Sequence, residues 1–128
     1  EKDLIQAQKI FDCIGKTTLI EENLMDAVTA VSGSGPAYVF YFMECFKKAA
    51  LSLGLSEEVS QKLVIETLRG SLTLLEKSKE DVSILRQKVT SKGGTTEAAL
   101  GVLQQNKFNE IFIQALKAAR DRAKELAK

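Results

Sequence analysis

The spacing of apolar residues along this chain predicts helices almost throughout. From residue 56 to residue 75 apolar side chains recur at roughly three- and four-residue steps, and Ser56 followed by two glutamates is a typical helix start. The same kind of spacing, with weaker boundaries, predicts further helices at residues 2–14, 23–31, 82–89, 95–106 and 108–128. Asn23 and Asp81 are the expected caps of two of them. The pattern therefore indicates an all-α helical bundle.

The helix predicted from Pro36 to about Leu53 is different, because apolar residues surround it on nearly every side. A helix without a polar face must be buried all round, and a single domain of this length has few places for one. We therefore expect a second chain to cover part of it. A cofactor pocket lined by Met and aromatic residues is the sharper alternative, and ordinary core packing is the default.

Residues 16–20, Lys-Thr-Thr-Leu-Ile, are the one credible strand, and nothing else in the chain offers it a partner. One helix, Gly15 and this strand resemble the end of a sheet whose other strands are missing. The chain also begins at Glu1 rather than Met. We interpret residues 1–22 as the end of another unit and residues 23–128 as the helical domain.

Two glycine-rich stretches carry the candidate chemistry. Ser-Gly-Ser-Gly-Pro at residues 32–36 predicts a turn followed by a helix; it could serve only as a tight elbow, and it lacks the strand–GxGxxG–helix context of a dinucleotide site. Residues 91–96, Ser-Lys-Gly-Gly-Thr-Thr, place hydroxyls and backbone N–H groups at a helix start, which suits a carboxylate or a phosphate. The plainer interpretation is a Gly93 C-cap followed by a Thr95 or Thr96 N-cap.

Composition narrows the function classes. The 128 residues suit one ordinary domain, and a net charge of +1 without a basic block does not favour nucleic-acid binding. The absence of His excludes His-based catalysis and His metal ligands, and we predict no metal site. No apolar run reaches the length of a membrane span, while Cys13 and Cys45 stand apart as expected of reduced thiols. We expect a cytoplasmic protein.

Two segments together resemble the signature segments of pyrroline-5-carboxylate reductase. They are Asp-Ala-Val-Thr-Ala-Val-Ser-Gly-Ser-Gly-Pro-Ala-Tyr-Val-Phe at residues 26–40 and Val-Thr-Ser-Lys-Gly-Gly-Thr-Thr-Glu-Ala-Ala-Leu at residues 89–100. Their order, their separation and the helical pattern between them also fit, from about Ile10 onward. A lone Gly-Gly-Thr would not be specific, whereas both segments in one chain are.

The resemblance implies a two-domain oxidoreductase that transfers hydride from NADPH or NADH to 1-pyrroline-5-carboxylate and makes L-proline, the final step of proline biosynthesis. Residues 1–22 would then be the last helix and strand of a Rossmann-type cofactor domain. Residues 23–128 would be the helical domain, which in this family interlocks with that of a second subunit in a homodimer. Dimers of the family assemble further into a decamer, and the sequence does not decide between these two states.

The resemblance also assigns roles to residues. The Ser91 hydroxyl and the N–H groups of Gly93, Gly94 and Thr95 would hold the substrate carboxylate, and the Thr96 hydroxyl would meet the ring nitrogen as the catalytic group. Less firmly matched are Pro36 and Val89, near the nicotinamide and the substrate ring, and Glu80, which is either a proton source or an ordinary loop carboxylate.

Lys92 departs from the family, which most often has Pro after the serine. Lysine frees the backbone φ angle and adds a positive charge beside the expected carboxylate site. Two other functions remain open at this stage. One is a non-catalytic helical dimerisation module; the other is the helical domain of a related NAD(P)-dependent reductase acting on another carboxylate.

Overall fold

The computed structural model describes residues 2–127, so that Glu1 and Lys128, the outer ends of the two predicted units, lie outside it. The described residues form seven α-helices and no strand, which confirms the all-α class. The helices are α1 Lys2–Phe11, α2 Met25–Val28, α3 Gly35–Ser52, α4 Glu57–Ser78, α5 Val82–Lys88, α6 Thr95–Gln105 and α7 Phe108–Leu126.

The strand predicted at residues 16–20 is wrong for this structure, since the segment runs without regular secondary structure. A strand needs a neighbour for its backbone hydrogen bonds, and the described chain supplies none. Asn23 is likewise not the cap of a helix; it lies in a 3₁₀ turn, Glu22–Leu24, and no side chain caps the start of α2.

Between α2 and α3 the chain stays helical where a turn was predicted. Thr29–Gly33 forms a π-helical turn in which the Ser34 N–H donates to the Thr29 carbonyl at 2.9 Å. Such a turn inserts one residue into the helix without ending it. Pro36 follows in the first turn of α3, where the N–H that proline lacks has no helical partner to lose.

The helix starts at α4 and α5 follow the predicted capping. The Ser56 hydroxyl accepts the Val59 N–H at 3.3 Å, and Asp81 accepts the Ser83 N–H at 2.8 Å. α4 packs along α3, and Lys47 on α3 pairs with Glu57 on α4 at 2.7 Å. The hydrogen bond from Lys47 and its positive charge hold the pKa of Glu57 below its usual range.

The buried core of this single chain is small. Among the described residues Ala30, Ala50, Val64 and Ser60 are buried, and the π-helical turn and α2 pack against α7. The helix α3 that was expected to be covered all round leaves many large side chains open, including Phe40 and Tyr41, which are 64% and 66% exposed. The chain alone therefore does not bury its apolar surface.

Both cysteines are free thiols, as predicted, although both are exposed. None of the helices within residues 2–127 combines the length and the hydropathy that crossing a bilayer would require.

Candidate functional site

The site is built on the six-residue connection between α5 and α6, residues 89–94. Its first anchor is Asp81 at the start of α5, whose carboxylate accepts from the Ser83 hydroxyl and backbone N–H; these bonds hold the pKa of Asp81 below its usual range. Its second is Thr90, whose hydroxyl donates to the Arg86 carbonyl at 2.6 Å. The loop therefore follows a helix, α5, and side-chain hydrogen bonds stabilise the chain at both ends of that helix.

Two glycines give the loop its shape. Gly93 has a φ of +73°, in the left-handed region where a side chain is strained. Gly94 lies against Ser91, because its N–H donates to the Ser91 carbonyl at 3.0 Å and a β-carbon on Gly94 would lie 3.1 Å from that same oxygen. The Ser91 hydroxyl fills the remaining space beside Gly94. Both positions therefore require glycine, for different reasons.

Helix α6 begins at Thr95, as predicted, but its N-cap is Gly94, which has extended backbone and no side-chain cap bond. Thr95 is exposed and Thr96 is half-buried in the first turn. Within residues 2–127 neither threonine donates its backbone N–H or its hydroxyl to another group. These donors at the positive end of the α6 dipole are the open ones of the site.

The other two N–H groups expected to hold a carboxylate already have acceptors. Gly94 donates to Ser91, and Gly93 donates to the Glu97 carboxylate at 2.7 Å. Glu97 was not among the site residues predicted from the sequence. The spacing could have revealed it, since a glutamate three residues after an N-cap commonly reaches back to bond the backbone at the helix start.

Lys92 is exposed, and no acid among the described residues lies within ion-pair distance of it. Glu80, in contrast, is held by Lys88 at 2.6 and 2.8 Å to its two carboxylate oxygens. An acid bound in this way is not a loose loop carboxylate. The ion pair connects Glu80, just before α5, with Lys88, the last residue of α5.

Pro36 lies elsewhere in the chain. It lines an open apolar cavity of about 740 Å³ between α3 and α7, together with Tyr38 and Phe112 among others. The described elements packed on α3 are chiefly α4 and the π-helical turn, so a single chain does not bring Pro36 to residues 91–96. Val89 is exposed and faces a separate apolar groove formed by α4 and α5.

No group of three or more Cys, Asp or Glu side chains in residues 2–127 could hold a metal ion. The hydrogen-bond donors of the site are uncharged: they are hydroxyls and backbone N–H groups at the positive end of a helix dipole. The one charged side chain beside them, Lys92, has no described acid within ion-pair distance. This arrangement is suited to a small anion and to hydrogen-bond donation.

Comparison with known proteins shows the family to which this chain belongs. A family model described as "Pyrroline-5-carboxylate reductase dimerisation" matches residues 22–126. Pyrroline-5-carboxylate reductase 2 of Bacillus subtilis is 40% identical over 98% of this chain and 45% of its own length. The pyrroline-5-carboxylate reductase of Synechocystis is 42% identical over 98% of this chain and 47% of its own.

Solved structures agree. A pyrroline-5-carboxylate reductase from Coxiella burnetii superposes with a TM-score of 0.93 at 40% identity, over 100% of this chain and 48% of that one. A pyrroline carboxylate reductase from Plasmodium falciparum, solved with NADP bound, gives 0.90 at 36% identity, over 100% and 52%. The chain spans about half the length of the relatives that it matches. With its helical fold and its Ser91–Thr96 loop, the chain belongs to the pyrroline-5-carboxylate reductase dimerisation family.

Proposed function

We propose that this chain is the dimerisation and substrate-binding part of a pyrroline-5-carboxylate reductase, which reduces 1-pyrroline-5-carboxylate to L-proline as the final step of proline biosynthesis. The observation that carries the proposal is that relatives of this name are 40% identical or more along 98% of the chain. The open donors at the start of α6 suit a substrate that bears both a carboxylate and a ring nitrogen.

In this proposal the substrate carboxylate lies at the start of α6. The Ser91 hydroxyl and the Thr95 N–H would donate to it, with Gly93 and Gly94 letting its oxygens approach the backbone closely. The positive end of the α6 dipole favours an anion there, and so does the charge of Lys92, which no acid within residues 2–127 pairs. A carboxylate held at one end fixes the position of the rest of the ring.

The Thr96 hydroxyl would donate a hydrogen bond to the ring nitrogen. Thr96 lies one residue beyond Thr95 in the same turn, so that one short segment serves both ends of a five-membered imino acid. A neutral hydroxyl orients the C=N bond without changing its own charge, and it holds the nitrogen while the adjacent carbon is reduced.

The cofactor, NADPH or NADH, supplies the hydride when bound. The chain's own residues fit only its flat nicotinamide end, where Pro36 and the apolar cavity beside it would form a wall. The Ser34 N–H is already bonded to Thr29, and the glycine-rich residues 32–36 continue a helical path into α3 instead of forming a phosphate-binding loop. The phosphates would therefore be bound outside residues 2–127. NADP in the related Plasmodium structure supports this choice of cofactor class.

Dimerisation is supported by the exposed surface of the chain. The accessible area is 10922 Å², whereas a compact monomer of this mass exposes about 6,700 Å². This excess is large enough for one side of an obligate dimer interface, and exposed large apolar side chains of α3 and α7 contribute to it. A second copy would cover it, and the description of the matching family names this role. Further assembly into a decamer stays a prediction.

The division at residue 22 also belongs to the proposal. Helix α1 does not pack extensively against any other described helix, and four of its large apolar side chains are exposed, those of Leu4, Ile5, Ile10 and Phe11. A cofactor-binding unit packed on α1 would bury those side chains. A cytoplasmic location fits the two free thiols.

The test is reductase activity of the protein that carries this chain together with a dinucleotide-binding unit. We expect oxidation of NADPH or NADH that depends on 1-pyrroline-5-carboxylate and produces proline. A stable dimer that oxidises neither cofactor with this substrate would instead favour the non-catalytic dimerisation module. Activity confined to another carboxylate would favour a related reductase.

A further inference from the structure

We infer that Glu97 is an internal competitor of the substrate carboxylate: its side chain occupies the Gly93 N–H in the empty site and must leave before the substrate can use that donor. The inference rests on the proposed function, because it concerns the same loop. It assigns to Glu97 control over how tightly the site binds carboxylates.

The geometry places one carboxylate where another is expected. The Glu97 carboxylate accepts the Gly93 N–H at 2.7 Å, a length typical of a charge-assisted hydrogen bond. The donor belongs to the set that suits the substrate carboxylate. The site is therefore satisfied by an anion of the same chemical class as its ligand.

The Glu97 side chain is free to leave. It is exposed, and no Lys or Arg among the described residues lies within ion-pair distance of it. Other glutamates of the chain are fixed more firmly, as Glu80 is by Lys88. Rotation of the side chain away from Gly93 therefore costs mainly the one hydrogen bond.

Two carboxylates cannot share this donor at low cost. Like charges a few ångströms apart repel, and each needs hydrogen-bond donors that the other would occupy. A substrate carboxylate that bonds the Gly93 N–H, in addition to the Ser91 hydroxyl and the Thr95 N–H, consequently requires the state in which Glu97 has moved. When a binding-competent state is only partly populated, the apparent affinity falls by that fraction. Removing the competitor should tighten binding of the carboxylate.

The experiment compares Glu97→Gln and Glu97→Ala with the wild-type protein in its active, cofactor-binding form. Glutamine keeps an acceptor for Gly93 but loses the charge, whereas alanine removes both. We expect the KM for 1-pyrroline-5-carboxylate and the Kd of proline to be highest in the wild type, lower in Glu97→Gln and lowest in Glu97→Ala. The decrease from the wild type to Glu97→Ala should be about threefold to tenfold. The KM for the nicotinamide cofactor should not follow this order.

Glu110→Gln is the matched control. Glu110 is the third residue of α7, as Glu97 is of α6, but it faces Lys107 at 3.6 Å rather than the loop. Its substitution should leave the Kd of proline unchanged. Prolinamide, which lacks the carboxylate, should bind all four proteins equally, because no competition for Gly93 arises.

If Glu97 only stabilises the loop, its substitution should have the opposite effect and raise the KM for 1-pyrroline-5-carboxylate, because a looser loop binds the substrate less well. An unchanged or raised KM in a folded Glu97→Gln protein with active wild type would overturn this inference alone. Wild-type protein without reductase activity would overturn the proposed function and this inference with it. Thermal unfolding of each variant shows that the comparison is made between folded proteins.

Discussion

The hydroxyl of Ser91 fills the space that a β-carbon on Gly94 would need, so that these two residues can be close only because one of them is glycine. The Gly94 N–H completes the contact by donating to the Ser91 carbonyl at 3.0 Å. This tight turn sets the direction in which α6 begins. It therefore fixes where the Thr95 and Thr96 donors point.

Gly94→Ala should damage the site because the new methyl group displaces Ser91. We expect kcat/KM for 1-pyrroline-5-carboxylate to fall roughly tenfold or more, as displaced binding groups lose alignment with the substrate. Gly101→Ala is the control, since a β-carbon on this glycine in the middle of α6 meets nothing within 4 Å. That variant should raise the free energy of unfolding by about 0.5–1 kcal/mol. Equal kinetics in both variants would contradict the role given to the turn.

Thr96→Ala in the active protein should lower kcat by about tenfold or more with the thermal midpoint unchanged, because the hydrogen bond between the hydroxyl and the ring nitrogen is lost. Its hydroxyl bonds no other described group, so the fold does not depend on it. Thr73→Ala removes an exposed hydroxyl that donates to the Arg69 carbonyl at 2.8 Å within α4 and should leave turnover unchanged. Wild-type kinetics in the Thr96 variant would refute the assignment.

The dimer should weaken when a charge enters the exposed face of α3. Phe40 is 64% exposed in the single chain, and burying a glutamate there against a second copy costs far more than burying the phenyl ring. We expect Phe40→Glu to sediment as a monomer at micromolar concentration, where the unaltered chain is a dimer. Lys117→Glu, on the charged side of α7, should remain dimeric. A folded monomer of the unaltered chain would exclude the proposed dimer.

Acid should destabilise the start of α5 through Asp81. Hydrogen bonds from the Ser83 hydroxyl and N–H lower the pKa of Asp81 in the folded chain below its unfolded value of about 3.9. The stabilising effect is complete above that unfolded value and is lost as the pH falls through the lower folded pKa. Asp81→Asn keeps a capping side chain without the charge. Its thermal midpoint should therefore drop less between pH 7 and pH 3 than that of the wild type, whereas Asp121→Asn should behave as the wild type does.

Helix content followed from local pattern, because capping and periodicity act within a few residues. Ser56 and Asp81 cap the helices that the sequence assigned to them, and the segment starting near Pro36 is helical to Ser52. The prediction of a strand at residues 16–20 was wrong for the complementary reason. Strand formation depends on a partner that no local pattern provides.

The sequence by itself determined the all-α class, the two glycine-rich segments and the family to which they belong. The folded structure decided which donors are open, since the backbone geometry of the loop, and not residue type alone, determines which acceptor each N–H group meets. The Gly94 N–H bonds the Ser91 carbonyl and the Gly93 N–H bonds the Glu97 carboxylate, whereas the N–H groups of Thr95 and Thr96 have no acceptor among the described residues. The folded structure also decided that residues 29–33 form a π-helical turn that leads to α3, because one inserted residue lets the backbone keep its hydrogen bonds, as the Ser34 N–H does with the Thr29 carbonyl.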